Sequence, residues 1–318
     1  MPVNLCIIGG NGFVGRAIVC AARKKGHRVT VACRHPERAR KLGVEGASLA
    51  KVDITDGRGL DEAMAGADCV INLVGLLFEK GRYTFEAAHV RGTENVVDAC
   101  QRAGVKQYLH MSALGADAAS ESAYARTKAE AEDYVSTSKN LNWTIFRPSI
   151  IFGAEDNFFN QFKAMSALLP VMPVIEGNTR FQPVWVEDVA RAFIQAIDNR
   201  LAFGQTFELG GPKAYTFQEL LELLMRVLDR RRLLLPVPKP MAKLIATFGQ
   251  FLPTPPLTPD QLILLGRDNV TQGEAFPSLF GTPSNLEAIL PGYIHGSRTA
   301  RQQQSFDKYR RQYWKAKQ

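Results

Sequence analysis

A glycine-rich turn near the start of the chain constrains its fold more than any other feature. An apolar run over residues 3–8 leads directly into glycines at positions 9, 10, 12 and 15, and a helical pattern follows over residues 12–25. Gly9 lets the chain turn off a strand, Gly12 leaves room for a pyrophosphate at the backbone, and Gly15 lets the helix pack closely on the sheet. The free N–H groups of a helix N-terminus favour an anion. The pattern therefore predicts a strand, a tight turn and a helix that bind a dinucleotide, rather than a glycine-rich turn of another α/β protein.

The composition indicates a globular protein of a reducing compartment. The chain has 318 residues, and 46% of them are hydrophobic, enough for a large core. No apolar run reaches the roughly 18 residues of a membrane span, and the first strand begins so early that we expect no signal peptide and a cytoplasmic location. The five cysteines form no C-x-x-C pair. We therefore expect free thiols and no metal site.

The positive charge is concentrated at the C-terminal end of the chain. The formal net charge is +8, and residues 298–318 hold seven basic residues and one acidic residue. The nearly neutral remainder disfavours binding to nucleic acid. Two interpretations of the basic tail are open: it contacts an anionic surface or a partner protein, or it is a solvated terminus.

Strand and helix patterns alternate over the first half of the chain. After the first strand, further strands are predicted over residues 28–33, 48–52, 68–74, 106–111 and 143–146, and the clearest intervening helices over residues 84–103 and 124–138. This alternation predicts an α/β fold, a Rossmann-type doubly wound parallel sheet with helices on both faces.

Beyond residue 148 the pattern is less regular. Helices are predicted over residues 157–168, 186–198 and 216–228, a strand over residues 205–209, and loops with short helices over the proline-rich residues 235–259. We expect three parts: an NADP(H)-binding domain over residues 1–150, completed in part by residues 180–210; a smaller interleaved domain over residues 151–297 that faces a substrate or partner; and the basic tail, residues 298–318.

The end of the second strand indicates which nicotinamide cofactor is bound. NAD binders place an acidic residue there for the ribose 2′-hydroxyl, whereas NADP binders place a basic residue near the 2′-phosphate. Arg34 stands at this point and no acidic residue does. A guanidinium donates two parallel hydrogen bonds to a phosphate, so we expect NADP(H) to be preferred over NAD(H). The alternative is that Arg34 is an ordinary surface residue.

Polar and small residues follow the third and fourth strands. Asp53 is placed to accept a hydrogen bond from an adenine amino group, and Ile54 to pack on the ring. Gly75, after Leu73 and Val74, would let the backbone pass close to the cofactor. Successive strand ends of a parallel sheet meet along one rim, where such sheets bind ligands.

Tyr124 and Lys128 form the candidate catalytic pair. At positions i and i+4 they share one face of the predicted helix. A nearby ammonium favours a tyrosinate and would lower the phenol pKa toward a range useful for acid–base catalysis. The alternative, an exposed helix face, is disfavoured because the pair follows the fifth strand of a dinucleotide-binding sheet.

These motifs together resemble one enzyme family. Gly9-x-x-Gly12-x-x-Gly15, Asp53, Asn72-Leu73-Val74-Gly75, Tyr124-x-x-x-Lys128 and Arg147-Pro148 are similar to motifs of extended or atypical short-chain dehydrogenases/reductases. More narrowly, residues 110–116, 151–158, 182–190 and 207–212 resemble the branch that contains the nucleotide-binding accessory subunit of mitochondrial respiratory complex I and its bacterial relatives.

The resemblance implies bound NADP(H) and an association with quinone or respiratory metabolism. The predicted cofactor contacts are Gly9, Asn11, Gly12, Phe13, Val14, Arg34, Asp53, Ile54, Leu73, Val74, Gly75, Lys128 and Pro148. The predicted catalytic residues are Tyr124, Lys128 and Ser112.

The residues that would orient a substrate depart from the family pattern. Ala113 stands where the family has Ser or Thr, and Ser112 comes one residue early, which turns its side chain to the opposite face of a strand. Ser122 is a candidate substitute, and His89 opens the segment that often carries an Asn in the family. The proton-transfer pair is retained while its partners differ, which puts turnover in doubt but not cofactor binding.

Two functions follow from these observations. The first is a cofactor-holding accessory or assembly protein. The second is an NADP-dependent reductase, dehydrogenase or epimerase acting on a small or isoprenoid, quinone-type substrate. Basic and apolar residues also mix over residues 230–250, which either pack on the second domain or contact a partner protein or an anionic membrane at its inner face.

Overall fold

The computed structural model of the protein describes residues 2–252 and 255–295. The basic tail, residues 298–318, lies outside this part of the chain. None of the helices within the described ranges is long and apolar enough to cross a membrane.

The strands follow the predicted alternation closely. In chain order they are β1 (Asn4–Ile8), β2 (Arg28–Cys33), β3 (Ser48–Lys51), β4 (Cys69–Asn72), β5 (Gln107–Met111), β6 (Asn142–Pro148), β7 (Ile151–Phe152), β8 (Val171–Val174), β9 (Arg180–Phe181), β10 (Val184–Trp185), β11 (Gln205–Leu209), β12 (Tyr215–Thr216) and β13 (Leu233–Pro236).

The helices fill the intervals between the strands. They are α1 (Phe13–Lys24), α2 (Arg40–Val44), α3 (Leu60–Met64), α4 (Gly92–Arg102), α5 (Ala123–Thr137), α6 (Asn157–Leu168), α7 (Val186–Ala196), α8 (Phe217–Leu228), α9 (Lys239–Gly249), α10 (Pro259–Leu265) and α11 (Leu286–Tyr293). Short 3₁₀ turns occur at Pro36–Ala39, Arg200–Ala202 and Ser278–Phe280. The long helix predicted over residues 84–103 begins as a π-helical turn, Glu86–Arg91, before it becomes α4.

Seven parallel strands form the central sheet in the order β11-β6-β5-β4-β1-β2-β3. The order reverses between β1 and β4, where Leu5 pairs with Cys69 and Ile8 with Asn72. In such sheets ligands bind at the carboxyl ends of the strands beside this reversal. The predicted fold class, a doubly wound parallel sheet, is confirmed.

Apolar side chains cover both faces of the sheet. One face packs against α1 and α7 through residues such as Ile7, Ile18 and Phe193. The other packs against α3, α4 and α5, with Val70 and Val97 in its centre. The inner strands β1, β4 and β5 are buried almost completely by these two layers, which explains why they read as apolar runs rather than as alternating patterns.

A third apolar cluster organises the second half of the chain. It joins α6, α8 and α11 around Phe159, Leu220 and Leu290. Thr216 begins α8 with a capping box, in which its side chain and that of Glu219 each accept a hydrogen bond from the other's backbone N–H. Three short two-stranded ribbons, β7–β10, β9–β12 and β8–β13, also lie beyond residue 150.

Candidate cofactor site

The glycine turn forms a tight bend immediately after β1. Gly9 has a φ of +78°, a left-handed conformation that glycine adopts without steric cost, and Gly12 N donates a hydrogen bond to Gly9 O at 2.9 Å. A Cβ on Gly15 would lie 2.6 Å from Gly10 Cα. Gly15 therefore allows α1 to pack against the turn itself, whereas the sequence predicts that it lets the helix pack on the sheet.

The residues around this turn fit a pyrophosphate. Gly12 is the N-cap of α1, no side chain caps the helix, and no acidic residue lies in its first turn. Gly12 is exposed, and a Cβ there would meet only Gly9 O within 4 Å. The backbone N–H groups of Phe13 and Val14, at the positive end of the helix dipole, thus face a site that a dinucleotide phosphate would fill. Asn11 lies beside them, half-buried.

The end of β4 brings the glycine turn next to the candidate catalytic helix. Leu73 N donates to Ile8 O at 3.0 Å, and a Cβ on Gly9 would lie 3.5 Å from Val74 Cγ2. A Cβ on Gly75 would lie 3.4 Å from Lys128 Nζ. The rim of the sheet at Gly75 thus lies within contact distance of the Lys128 ammonium.

Arg34 and Asp53 meet through a residue that the sequence analysis did not select, Tyr83. The Arg34 guanidinium lies 4.2 Å from the centre of the Tyr83 ring, and the Tyr83 hydroxyl donates to Asp53 Oδ2 at 3.1 Å. Arg82 donates to the same oxygen at 2.6 Å, while Thr55 donates twice to Asp53 Oδ1. The carboxylate already has four donors, so an adenine amino group would have to replace one of them.

Two further predicted cofactor contacts have packing roles in the structure. The Ile54 side chain is buried, and a Cβ on Gly92 would lie 2.7 Å from Ile54 Cδ1. Pro148 ends β6, and its carbonyl oxygen accepts a hydrogen bond from Leu114 N at 2.9 Å. Their contacts with adenine and nicotinamide stay predictions.

Tyr124 and Lys128 both lie on α5, but their electrostatics differ from the prediction. Burial, and then the charge of Asp260, raise the pKa of Tyr124 to about 12. Burial lowers the pKa of Lys128 to about 8, and Lys128 Nζ donates to Met111 O at 3.1 Å. The expected lowering of the Tyr124 pKa by Lys128 is therefore wrong for this structure, because loss of hydration disfavours both charged forms.

His89 occupies the space between the glycine rim and α5. Its Nε2 accepts a hydrogen bond from Leu76 N at 3.1 Å, so Nδ1 carries the proton and donates to Thr127 Oγ1 at 3.0 Å. Its ring stacks on Phe85 and meets the Tyr124 ring edge-on, with centroids 5.3 Å apart. Burial lowers the pKa of His89 to about 2, so the imidazole is neutral. The edge-on ring contact of His89 supports the Tyr124 side chain in its position.

Asn72, Tyr108 and His110 form a buried chain of hydrogen bonds, and Ser112 is buried near its end without joining it in the described part of the protein. Asn72 donates to the Tyr108 hydroxyl, which in turn donates to His110 Nδ1, both at 3.1 Å. Among the described residues neither His110 Nε2 nor Ser112 Oγ has a hydrogen-bond partner. The Ser112 side chain is buried, so its predicted catalytic role stays a prediction.

Ser122, the candidate substitute for the family serine, is engaged in the structure of α5. Its Oγ accepts a hydrogen bond from Ala125 N as the N-cap of the helix and donates to Asp260 Oδ2 at 2.9 Å. Asp260 Oδ1 also accepts from Ala123 N at 2.7 Å. Ser122 is thus a helix cap, and the carboxylate next to Tyr124 comes from a residue far away in the chain.

The stretch that carries Asp260 covers the rim of the sheet; we call residues 258–269 the covering segment. Gln261 Nε2 donates to Leu77 O, Arg267 forms an ion pair with Asp117, Asn269 Nδ2 donates to Leu114 O, and Ser149 Oγ donates to Asn269 Oδ1. These partners follow β4, β5 and β6, so one segment spans three successive strand ends. No local pattern identifies such contacts in the sequence, because all of them are long-range.

Comparison with known proteins agrees with this geometry. The profile of an NAD(P)H-binding family matches residues 9–200. The UDP-glucose 4-epimerase of Thermus thermophilus, solved in complex with NAD, superimposes with a TM-score of 0.65 at 20% identity over 93% of this chain and 100% of that chain. The chain belongs to the NAD(P)H-binding short-chain dehydrogenases/reductases of the extended type.

Within that family the chain is related to subunits of respiratory complex I, as the sequence motifs predict. The Arabidopsis thaliana protein "NADH dehydrogenase [ubiquinone] 1 alpha subcomplex subunit 9, mitochondrial" is 32% identical over 300 residues, or 88% of this chain and 74% of that protein. The "NADH-ubiquinone oxidoreductase 40 kDa subunit, mitochondrial" of Neurospora crassa is 30% identical over 301 residues, or 92% and 79%.

Proposed function

We propose that this protein holds NADP(H) as an accessory component of respiratory or quinone metabolism and does not turn it over. The observation that carries the proposal is the covering segment, residues 258–269, which forms hydrogen bonds to the rim of the sheet and to the start of α5 beside Tyr124, where it would obstruct a substrate. Burial, and then the charge of the Asp260 carboxylate, raise the pKa of Tyr124 to about 12, which disfavours the tyrosinate.

The retained cofactor machinery supports binding as a separate property. The N-terminus of α1 has no side-chain cap, and the hydrogen bonds of the covering segment to the rim go to residues that follow β4, β5 and β6 rather than to the glycine turn. A dinucleotide bound there would contact residues that follow several neighbouring strands of the central sheet. It would stabilise the folded protein by mass action, since it binds only the folded state.

The preference for NADP(H) over NAD(H) rests on two guanidinium groups. Arg34 ends β2, and Arg82 lies 5.0 Å from the same Tyr83 ring that Arg34 covers at 4.2 Å. Two such groups would bind a ribose 2′-phosphate, whereas an acidic residue for a free 2′-hydroxyl is missing from the tip of β2.

The accessory role is suggested by the printed names of the relatives, which are subunits of mitochondrial NADH dehydrogenase. In this proposal the protein resides in the cytoplasm, at the inner face of a membrane. Residues 230–250 and the basic tail, residues 298–318, provide its contact with a partner or with that membrane.

A second candidate function is an active NADP-dependent oxidoreductase or epimerase. The specific observation in its favour is that Tyr124 and Lys128 both remain on α5 beside Gly75. In this case Tyr124 would transfer a proton to or from the substrate, and the bound nicotinamide would supply the hydride chemistry.

One set of measurements separates the two functions. The cofactor retained on purification is identified, and NADPH consumption is followed with a panel of quinones and carbonyl compounds. The proposal expects retained NADPH and no turnover. Consumption of NADPH that disappears in the Tyr124→Phe variant would establish the enzyme instead, and tighter binding of NADH than NADPH would overturn the cofactor preference.

A further inference from the structure

The exposed apolar side chains are confined largely to one region of the surface. The described residues include thirteen large hydrophobic side chains that are exposed, and all but Leu77 and Leu201 fall within residues 168–171 and 233–252. Exposed apolar patches of this extent, rather than single exposed residues, mark sites of interaction.

Helix α9 contributes a continuous stripe to this region. Met241, Leu244, Ile245 and Phe248 recur at helical spacing, and Phe248 is 70% exposed. On another side of the helix Ala242 and Ala246 are buried. The small alanines therefore attach the helix to the protein, while its large apolar side chains point into solvent.

The neighbouring ribbon extends the apolar surface. In β13, Leu233 and Leu235 are exposed, and in the parallel pair with β8, Leu233 lies next to Val171. Leu234, which alternates with them, is the residue that packs into the third apolar cluster. We call the exposed side chains of α9, of the β8–β13 ribbon and of residues 251–252 the apolar docking face.

The charges of this stretch are of one sign. Residues 230–259 contain Arg230, Arg231, Arg232, Lys239 and Lys243 and no acidic residue. Arg230 and Arg232 donate hydrogen bonds to α6, and Lys239 forms an ion pair with Glu176, which leaves Arg231 and Lys243 as the cations without an ion pair or side-chain hydrogen bond to another element among the described residues. Together, exposed Leu and Phe side chains on a short helix and nearby cations fit a surface whose interior is apolar and whose headgroups are anionic. Helix α9 has eleven residues, about 16 Å of helix, about half the thickness of a bilayer core, so it would lie in the plane of the membrane.

We infer that the apolar docking face binds anionic phospholipid membranes, with α9 lying in the interface. This inference names the partner that the proposed accessory function leaves open between protein and membrane. It does not depend on the bound cofactor, because the face contains none of the predicted cofactor contacts.

Flotation of the full-length protein with vesicles tests the inference. Vesicles of phosphatidylcholine with one quarter phosphatidylglycerol should carry the protein, and pure phosphatidylcholine vesicles should bind it at least tenfold less. The double variant Leu244→Ser/Phe248→Ser should lose at least tenfold in binding to the anionic vesicles, and Lys239→Gln/Lys243→Gln should weaken binding most at low salt.

The matched control is Leu201→Ser, because Leu201 is a 72% exposed leucine outside the docking face. It should bind vesicles like the parent protein, and all variants should retain NADPH, which separates this inference from the proposed function. No binding to anionic vesicles would overturn the inference. An equal loss of vesicle binding in the Leu201→Ser variant would also overturn it. So would a dimer of the parent protein that the Leu244→Ser/Phe248→Ser variant abolishes, since the docking face would then bind a second copy of the chain.

Discussion

Asp260 accepts a hydrogen bond from the backbone N–H of Ala123 at 2.7 Å and so places its carboxylate at the N-terminus of α5. The same carboxylate accepts from Ser122, and it faces Tyr124 at the second position of the helix. One acidic residue of the covering segment thus bonds to the first turn of the helix that carries Tyr124 and Lys128, and its charge adds to burial in raising the pKa of Tyr124. This contact connects the two halves of the chain beside Tyr124.

We expect Asp260→Asn to loosen this connection. Loss of the negative charge at the helix N-terminus should lower the free energy of unfolding by about 1 kcal/mol, measured by urea denaturation. It should also lower the pKa of Tyr124, which burial and then Asp260 raise to about 12, as followed by ultraviolet absorbance. The control is Asp61→Asn, an acidic residue that is 64% exposed in its ion pair with Arg102, which should change stability little.

The cluster around Tyr83 gives a test of cofactor preference. We expect Arg34→Ala and Arg82→Ala each to weaken NADPH binding about tenfold or more, and NADH binding much less, because each removes a cation near the 2′-phosphate. Fluorescence titration of each protein with NADPH and with NADH measures the ratio of the two affinities. Arg38→Ala, an exposed arginine of the same stretch, serves as control. Equal losses for NADPH and NADH would contradict a role in discrimination.

Two glycines of the turn should respond differently to the same substitution. A Cβ on Gly15 would overlap Gly10, so Gly15→Ala should destabilise the fold and lower the thermal midpoint. A Cβ on Gly12 would meet only Gly9 O, at 3.2 Å, so Gly12→Ala should keep the midpoint of the cofactor-free protein. It should nevertheless weaken NADPH binding, because the methyl group would project into the space that we propose for the pyrophosphate. An unchanged NADPH affinity of the Gly12→Ala variant would indicate that the phosphates bind elsewhere.

Lys128→Met should change how stability depends on pH. The folded-state pKa of Lys128 is about 8 and its ordinary value is 10.5, so between these values the unfolded chain binds the extra proton. The parent protein therefore gains stability as pH rises from 8 to 10.5, and the variant lacks this gain. The difference between the unfolding free energies of the parent protein and the variant should shift in favour of the parent protein over this range. Titrating groups that both proteins share cancel in this difference. A difference that does not change with pH would argue against a buried ammonium at Lys128.

Much of the sheet could be predicted from local patterns. The strands Arg28–Cys33 and Gln205–Leu209 and the helix Asn157–Leu168 have the predicted bounds, since apolar periodicity and turn residues act within a few positions. The π-helical turn at Glu86–Arg91 was missed, because one extra residue per turn leaves no clear mark in the pattern.

The residues of the candidate site also divide into those that local patterns indicate and those that only the tertiary structure shows. Local patterns indicate the glycine turn, Arg34, Asp53, Gly75, Tyr124 and Lys128, because each follows a strand or shares one helix face. They do not indicate Tyr83, Arg82 and Asp260, since these residues reach the site from a hairpin loop and from the covering segment. The sequence offers Ser122 as a candidate substitute for the family serine, and in the structure its hydrogen bonds cap α5.

The doubly wound sheet and its glycine turn can be predicted from the sequence, because those features depend on residues close together in the chain. The surroundings of Tyr124 and Lys128 depend instead on how distant parts of the chain pack together. Burial and the carboxylate of Asp260 raise the Tyr124 pKa, and burial lowers that of Lys128, so the pair differs from the one that its spacing suggested. The physical reason is that hydration and long-range charge are properties of packed neighbours, which no spacing of residues along the chain records.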